Sequence, residues 1–197
     1  MVENLRSTEE KPEVRLTWKG PYKLRDFFGN PDLDRTFSCP GVYIWIERKG
    51  SDECLSYVGK ASGSPTLARR QRQHYAFGIG GLYTIPSEFR KMAKERWVPD
   101  WSKPDVHEVL LERSRFHMLV DDAFNYIDAC DVHLARAASG GEAKLIERQL
   151  LFDLQPTGTK WGCRSPPGYP IRLVHRRATW ASAAIRHQLE GRNVAFE

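Results

Sequence analysis

The chain has 197 residues, 41% of them hydrophobic, a formal net charge of +5 and four cysteines, which is typical of one compact globular domain. No stretch reaches the roughly 18 apolar residues of a membrane span, and the polar start MVENLRSTEEKPEVR has no signal-peptide pattern, so a cytoplasmic protein is expected. The cysteines include no Cys-x-x-Cys pair, which argues against a zinc site and predicts buried free thiols.

The first 35 residues are interpreted as an N-terminal extension of the main domain. Residues 1–12 are a polar lead-in, and EVRLTW is predicted to be a strand. YKLRDFFG is predicted to be a short helix that ends at Gly29, and NPDLDRTFSCP is predicted to be a loop because it is rich in turn-forming residues.

Two short segments with glycine and tyrosine in mirrored order follow, in GVYIWIE and CLSYVG. In the first segment, three aliphatic residues alternate with Tyr43, Trp45 and Glu47, which is the period of a strand with two different faces. The polar segment RKGSDE between them predicts a turn, so residues 41–59 are predicted to form an antiparallel pair. Tyrosines on a half-buried hairpin are ordinary structural residues, so the hairpin alone indicates no function.

The segment LARRQRQHYAF follows the small-residue loop SGSPT and contains no glycine or proline, so it is predicted to be a helix. Its apolar face contains Leu67 and Phe77 together with Arg70 and His74. Two charged or titratable groups are therefore predicted on the side that faces the core. Residues from about 78 to 130 are predicted to be a helical insertion, with helices at SEFRKMAKERW and HEVLLERSRFHMLVDDAFNYI, and no chemistry is assigned to it.

The segment DVHLARA is predicted to be a third strand, and SGGEAKLIERQLLFDLQP a helix that begins near Ser139 and stops at Pro156. On this helix, Glu147 falls in the middle of an arc of aliphatic residues. An ionised carboxylate that faces a core must be paired, hydrogen-bonded or bound to a cation. Two interpretations are open: Glu147 forms a structural ion pair with an arginine such as Arg70, or it binds a cation.

Five features occur in a fixed order along the chain. They are GVY at 41–43, YVG at 57–59, Arg70 with His74 four residues later, and Glu147 nine residues before Pro156. This ordered set resembles the GIY-YIG nuclease superfamily over residues 41–77 and 132–159. The resemblance implies an α/β (α+β) fold, with a small, mainly antiparallel three-stranded sheet flanked by helices. The nuclease domain would span residues 36–160, including the insertion.

The resemblance also implies roles for the tyrosines and basic residues. Tyr43 would contact the attacking water as general base, and Tyr57 would hold the phosphate or the water network. Because a phenol has a pKa of about 10, Tyr43 can act near neutral pH only where cations favour the phenolate. Arg70, Lys60 and the metal are expected to supply that field. Arg70 would also brace the phosphate, and His74 would relay a proton or form a hydrogen bond.

Glu147 is the implied metal ligand. It would carry one Mg²⁺ or Mn²⁺ ion, because a hard cation that keeps its waters suits a site with a single carboxylate. Gly41 and Gly59 would let backbone and phosphate approach closely. The family usually has an asparagine three residues after the proline, where this chain has Thr159. The hydroxyl can still form hydrogen bonds, so weaker support is expected, not loss of activity.

Residues 161–197 are interpreted as a basic C-terminal arm. From residue 160 onward, seven Lys or Arg residues and two Glu residues leave a charge of +5, the whole net charge of the chain. After the turn-rich SPPGYP, the segment HRRATWASAAIRHQLEGR is predicted to be a helix, either a solvated basic helix or one that meets the phosphates of a polyanion. The candidate DNA-binding residues are Arg164, Arg172, Arg176, Arg177 and Arg186.

The expected activity is divalent-metal-dependent hydrolysis of DNA phosphodiester bonds. A stand-alone chain with an insertion and a basic tail resembles a sequence-specific restriction endonuclease of the family more than a repair subunit. Such an enzyme is expected to work as a homodimer with one active site per strand, without a small-molecule cofactor or a membrane partner. The alternatives are a catalytically weakened or inactive nucleic-acid-binding module on the same fold, a structure-specific repair nuclease, and a scaffold protein.

Overall fold

The computed structural model describes residues 11–79, 124–156, 166–192 and 194–197. The strands are β1 (Glu13–Tyr22), β2 (Gly41–Lys49), β3 (Asp52–Ala61), β4 (Cys130–Arg136), β5 (Arg172–Arg176) and β6 (Ala195–Phe196). The helices are α1 (Pro31–Thr36), α2 (Leu67–Ile79), α3 (Gly140–Leu154) and α4 (Ala183–Gln188), with a 3-10 turn at Leu24–Phe27. Residues 124–129, at the end of the predicted insertion, are also helical and lead directly into β4.

In the described residues, six strands form one sheet in the order β3-β2-β4-β1-β5-β6, where the resemblance implies a sheet of three. The predicted hairpin is confirmed as β2 and β3, and β4 pairs antiparallel with β2. β1 then adds antiparallel to β4, whereas β5 and β6 add in parallel. The protein therefore has a mixed α/β fold with a mostly antiparallel sheet. The three-stranded prediction is wrong because the N-terminal segment and the C-terminal segment both contribute strands to this sheet.

The two outer segments differ in how clearly their strands can be recognised. β1 buries Leu16 and Trp18 and exposes the residues between them, which is the alternation of a strand with one face on the core. β5 buries its three central residues between exposed Arg172 and Arg176. Because both ends of β5 are charged, its sequence resembles a solvated arm. The strand is recognised only from its pairing with β1.

Each face of the sheet carries a hydrophobic cluster. On the α3 face, Val42 belongs to a cluster with Leu150 of α3. On the α2 face, Tyr43 and Trp45 belong to a cluster with Leu67 of α2. Strand alternation therefore places the first candidate tyrosine beside α2, while the helix that carries Glu147 packs on the other face.

Local capping signals fix the ends of the helices. The side chain of Ser139 accepts a hydrogen bond of 3.1 Å from a first-turn amide of α3, and Gln155, with φ of 45°, ends this helix before Pro156. The predicted bounds of α3 are therefore confirmed. α1 lies in the segment predicted to be a loop, and that prediction is wrong. Asn30 caps its first-turn amides and Pro31 occupies the first helical position, both of which favour a helix start.

The C-terminal segment is not the continuous helix that the sequence predicts. β5 ends at Arg176, Arg177 has a φ of 49°, and α4 begins only at Ala183. Trp180 lies between them, buried edge-on against Trp18 with 5.8 Å between the ring centroids. Burial of this large ring favours the turn over a helix whose basic residues would all be solvated.

Two expectations from composition can be compared with the structure. In the described ranges, no helix is both long and apolar enough to cross a membrane. Cys39, Cys54 and Cys130 are free thiols, of which Cys130 is fully buried and the other two are half-buried. Cys163 lies outside the described residues.

Two histidines are buried in the sheet as neutral imidazoles. His175 accepts a hydrogen bond of 3.0 Å from the Trp18 indole, and burial lowers the pKa of His175 and of His133 to about 4. In the unfolded chain these rings bind protons below about pH 6.5. The unfolded state therefore binds more protons than the folded state between about pH 4 and pH 6.5, and the free energy of unfolding falls as the pH decreases through that window.

His175→Gln is expected to flatten this pH dependence, because the amide keeps an acceptor for Trp18 but does not titrate. Urea unfolding at about pH 7.5 and about pH 4.5 measures the change in unfolding free energy. His187→Gln, at an exposed ring, is the control and should leave the pH dependence unchanged. A His175→Gln protein that loses stability as steeply as the wild type would contradict the expectation.

Candidate active site

Tyr43 is seated against a glycine on the neighbouring strand. It lies opposite Gly59 and is only 1% exposed. A Cβ atom on Gly59 would lie 2.4 Å from the phenol oxygen and 2.5 Å from Cζ of Tyr43. A Cβ atom on Gly41 would likewise lie 2.5 Å from Leu67 and 2.3 Å from the Ala135 carbonyl oxygen. The close approach predicted at both glycines is thus made by protein atoms, and Gly59 provides the space for the Tyr43 ring.

The phenol of Tyr43 is hydrogen-bonded to His74. The distance between the phenol oxygen and Nε2 is 2.6 Å, and His74 is 6% exposed. Burial, and after it the positive charge of Arg70, lowers the pKa of His74 to about 3. The imidazole is therefore neutral near pH 7, and the hydrogen bond joins two neutral groups.

An aromatic box fixes the orientation of this imidazole. The His74 ring lies edge-on to Tyr43, Trp45 and Tyr57, with 5.4, 5.0 and 5.8 Å between the ring centroids. Tyr43 and Tyr57 themselves are stacked at 6.0 Å. The hairpin and α2 together hold both predicted tyrosines and the predicted histidine in one cluster.

Arg70 adds a positive charge to this cluster. It lies one turn before His74 on α2, and its guanidinium donates a hydrogen bond of 3.3 Å to Gln73. Burial raises the pKa of Tyr43 well above that of a free phenol and Tyr57 adds to the rise, whereas Arg70 lowers it through its charge and a hydrogen bond. Because burial is the largest of these effects, Tyr43 is a neutral phenol near pH 7. Arg70 acts in the predicted direction but does not by itself favour the phenolate.

Glu147 is paired with Lys60. The ammonium of Lys60 donates a hydrogen bond to Oε2 of Glu147, and the two side chains are 29% and 17% exposed. The helix is brought close by Gly140, where a Cβ atom would lie 2.2 Å from the Ser62 carbonyl oxygen at the end of β3. Two turns later, Glu147 reaches the lysine. The sequence suggests an arginine such as Arg70 as the ion-pair partner of Glu147. In the structure the partner is Lys60.

The candidate residues form two groups on opposite faces of the sheet, at the edge that β3 forms. Tyr43, Tyr57 and His74 lie on the α2 face, whereas Lys60, which is opposite Val42 of the α3 cluster, lies with Glu147 on the α3 face. Among the described strands β3 is the outermost, so the two groups lie on opposite faces at the same edge of the sheet. They interact electrostatically, because the charge of Glu147 adds to burial in raising the pKa of Tyr43.

Two nearby residues are absent from the sequence-based prediction. Gln71 is fully buried on α2, and its amide nitrogen and oxygen make no hydrogen bond with the described residues. Its spacing of three from His74 and four from Leu67 indicates the same helix face. Arg136 is exposed at the end of β4, opposite Gly41 and two residues beyond the partner of Tyr43.

The predicted DNA-binding arginines divide into two kinds. Arg176 forms an ion pair with Glu197. Arg186 donates a hydrogen bond of 2.8 Å to the Ala181 carbonyl oxygen and packs over the Phe196 ring. These two arginines contribute to the fold. Arg172 and Arg177 are exposed and make no side-chain hydrogen bond or ion pair within the described part of the chain. Arg164 and Thr159 lie outside the described residues.

Glu147 decides whether the described residues could hold a divalent metal ion. Within residues 11–79, 124–156, 166–192 and 194–197, no group of three His, Cys, Asp or Glu side chains is placed to hold an ion. Mg²⁺ commonly keeps several waters and binds through one or two carboxylates plus phosphates of the substrate. The half-buried carboxylate of Glu147 fits a site of that kind, in which the substrate supplies further oxygens.

Comparison with known proteins gives no relative to which a function could be traced. No protein-family model matches the chain, and neither does any curated protein or solved structure. A function must therefore be argued from the residues and contacts of this chain.

Gly59→Ala is expected to displace the Tyr43 ring, because the methyl group overlaps it, and to lower the free energy of unfolding by about 1–3 kcal/mol. Tyr43→Ala removes the ring, so the double variant should be more stable than the two separate losses predict. Denaturant unfolding of the four proteins measures this coupling. Gly168→Ala is the control, because no described residue other than its chain neighbours lies within 4 Å of the added Cβ. Strictly additive losses would show that Gly59 does not seat the phenol.

Proposed function

We propose that this chain is a divalent-metal-dependent DNA endonuclease of the GIY-YIG type, which cuts at specific sequences as a homodimer. The observation that carries the proposal is the 2.6 Å hydrogen bond between Tyr43 and His74 on a cluster that includes Arg70. A phenol, an imidazole and a guanidinium in contact are groups that can take a proton from water and stabilise negative charge on a phosphate.

The Tyr43–His74 pair would provide a path for the proton of the attacking water. When Nε2 is unprotonated, His74 accepts the proton of Tyr43 while the phenol oxygen takes a proton from water. In the free protein this imidazole is a weak base, because burial and then Arg70 lower its pKa to about 3. A phosphodiester that neutralises Arg70 would remove the second cause, so the substrate would make His74 a stronger base.

The remaining candidate residues would act on the phosphate. The planar guanidinium of Arg70 suits two phosphate oxygens. A Mg²⁺ or Mn²⁺ ion held by Glu147 would stabilise negative charge on the phosphate and lower the pKa of bound water. Tyr57, whose ring contacts both Tyr43 and His74, would hold a water or a phosphate oxygen beside them.

A nucleic-acid-binding module without catalysis is the second candidate. It is favoured by the burial of Tyr43, which keeps the phenol protonated, and by the ion pair that already neutralises Glu147. This candidate predicts retardation of DNA without cutting.

Supercoiled plasmid tests the endonuclease. The wild type is expected to cut it in the presence of Mg²⁺ and not in EDTA, whereas Glu147→Gln and Tyr43→Phe should each lower the rate by about 100-fold or more. Glu190→Gln and Tyr169→Phe make the same chemical changes at exposed positions and should cut like the wild type. Discrete fragments from a long DNA would support sequence recognition.

Three outcomes would contradict parts of this proposal. A wild type that leaves both the plasmid and the long DNA intact in Mg²⁺ rules out the nuclease, and retardation of the same DNA then supports the binding module. Full activity in either active-site variant removes that residue from the mechanism. A smear of random fragments contradicts the restriction-type activity.

The exposed arginines are expected to contribute to the affinity for DNA. Arg136→Gln and Arg172→Gln are each expected to weaken binding and to reduce the slope of log Kd against log salt by about 0.9 for each phosphate that the protein no longer neutralises. Fluorescence anisotropy with a short duplex measures both quantities. Arg35→Gln is the control, because the Arg35 side chain is 79% exposed and is far in sequence from both arginines. An unchanged salt slope would show that neither arginine meets a phosphate.

A further inference from the structure

The Lys60–Glu147 ion pair lies where the proposed function needs a free carboxylate. Lys60 donates a hydrogen bond to Oε2 of Glu147, and neither side chain is fully solvated. A charge-assisted hydrogen bond in a half-buried setting is stronger than a pair in open solvent. A cation that binds Glu147 must therefore replace the ammonium and also approach a positive charge.

Lys60 is also able to leave Glu147 when a second anion arrives. Its side chain is 29% exposed, and its strand β3 is the edge strand that also holds Gly59, the residue opposite Tyr43. A lysine ammonium is a compact charge on a flexible stem with three donors. A phosphodiester bound at this edge of the sheet would compete with Glu147 for this ammonium.

We propose that Lys60 competes with a divalent cation for Glu147, and that a phosphodiester strengthens cation binding by drawing the ammonium away. The proposal rests on the proposed function, since it uses the same carboxylate and phosphate. It makes Lys60 a positioning residue that couples the two binding events. By linkage, the cation must then strengthen phosphodiester binding by the same factor.

Mn²⁺ binding without DNA tests the competition directly. Free Mn²⁺ is measured by electron paramagnetic resonance during titration of the wild type, Lys60→Met and Arg148→Met. Lys60→Met is expected to bind one Mn²⁺ about tenfold more tightly than Arg148→Met. Arg148 is the matched control, because it is exposed on α3 next to Glu147, so its loss changes the net charge equally without freeing the carboxylate.

Further variants separate competition from a structural role of the pair. Lys60→Arg keeps the charge and should bind Mn²⁺ as weakly as the wild type. Adding Glu147→Gln to Lys60→Met should abolish the tight site. The proposal is overturned if Lys60→Met binds no more tightly than Arg148→Met, or if its tight site survives in the double variant. If Lys60→Met does not fold, Lys60→Gln takes its place under the same criteria.

A dinucleotide with one phosphodiester, thymidylyl-thymidine, tests the coupling. It should increase the Mn²⁺ affinity of the wild type by a larger factor than that of Lys60→Met, in which only the direct contact between phosphate and ion remains. An equal increase in both proteins contradicts the proposal. Plasmid cutting is scored separately. If the wild type cuts plasmid but Lys60→Met binds Mn²⁺ no more tightly, only this inference is overturned. If Lys60→Met binds Mn²⁺ more tightly but the wild type does not cut, only the nuclease is overturned.

Discussion

The register of the β2–β3 hairpin is the constraint on which the rest of the site depends. Tyr43 is opposite Gly59, and no other residue type leaves room for its ring. A shift by one residue would move the tyrosine to the other face, because side chains alternate along a strand. The same register places Lys60 on the α3 face, within reach of Glu147. One hairpin thus supplies residues to both groups of the candidate site.

Burial and charge act in opposite directions on the central phenol. The hydrophobic cluster that holds Tyr43 also raises its pKa, and this effect exceeds that of Arg70. His74 is affected by the same burial, which keeps it neutral and able to share a hydrogen. The free protein therefore holds its candidate acid and base neutral, and its candidate metal ligand paired. Substrate phosphate, by neutralising Arg70, would raise the pKa of His74 and would raise that of Tyr43 further, and by drawing Lys60 away it would release Glu147.

Local patterns predict the hairpin and α3, whose signals lie within a few residues. The hairpin has a strand period and a polar turn, and α3 has a capping serine and a stopping proline, so both are predicted correctly. The strand β5 and the turn at Arg177 depend on pairing with β1 and on burial of Trp180 against Trp18. Contacts between residues so far apart in the chain leave no local pattern.

The candidate site is predictable in its residues but less so in its contacts. The ordered motif brings together Tyr43, Tyr57, Arg70 and His74, as the structure has them. The ion-pair partner of Glu147 depends instead on how α3 packs against the end of β3, which Gly140 sets through a contact with a distant loop. The depth at which Tyr43 is buried, and hence its pKa, likewise depends on both strands and α2.

The central claim is that Glu147 and Tyr43 act on one phosphate around the edge strand. Anomalous diffraction from crystals grown with Mn²⁺ and a non-cleavable DNA duplex tests it most directly. The account predicts a Mn²⁺ peak at the Glu147 carboxylate, with one phosphate contacting both the ion and Arg70, and Lys60 released from Glu147. A duplex bound elsewhere, or a peak that avoids Glu147 while the Lys60 pair stays intact, would contradict it.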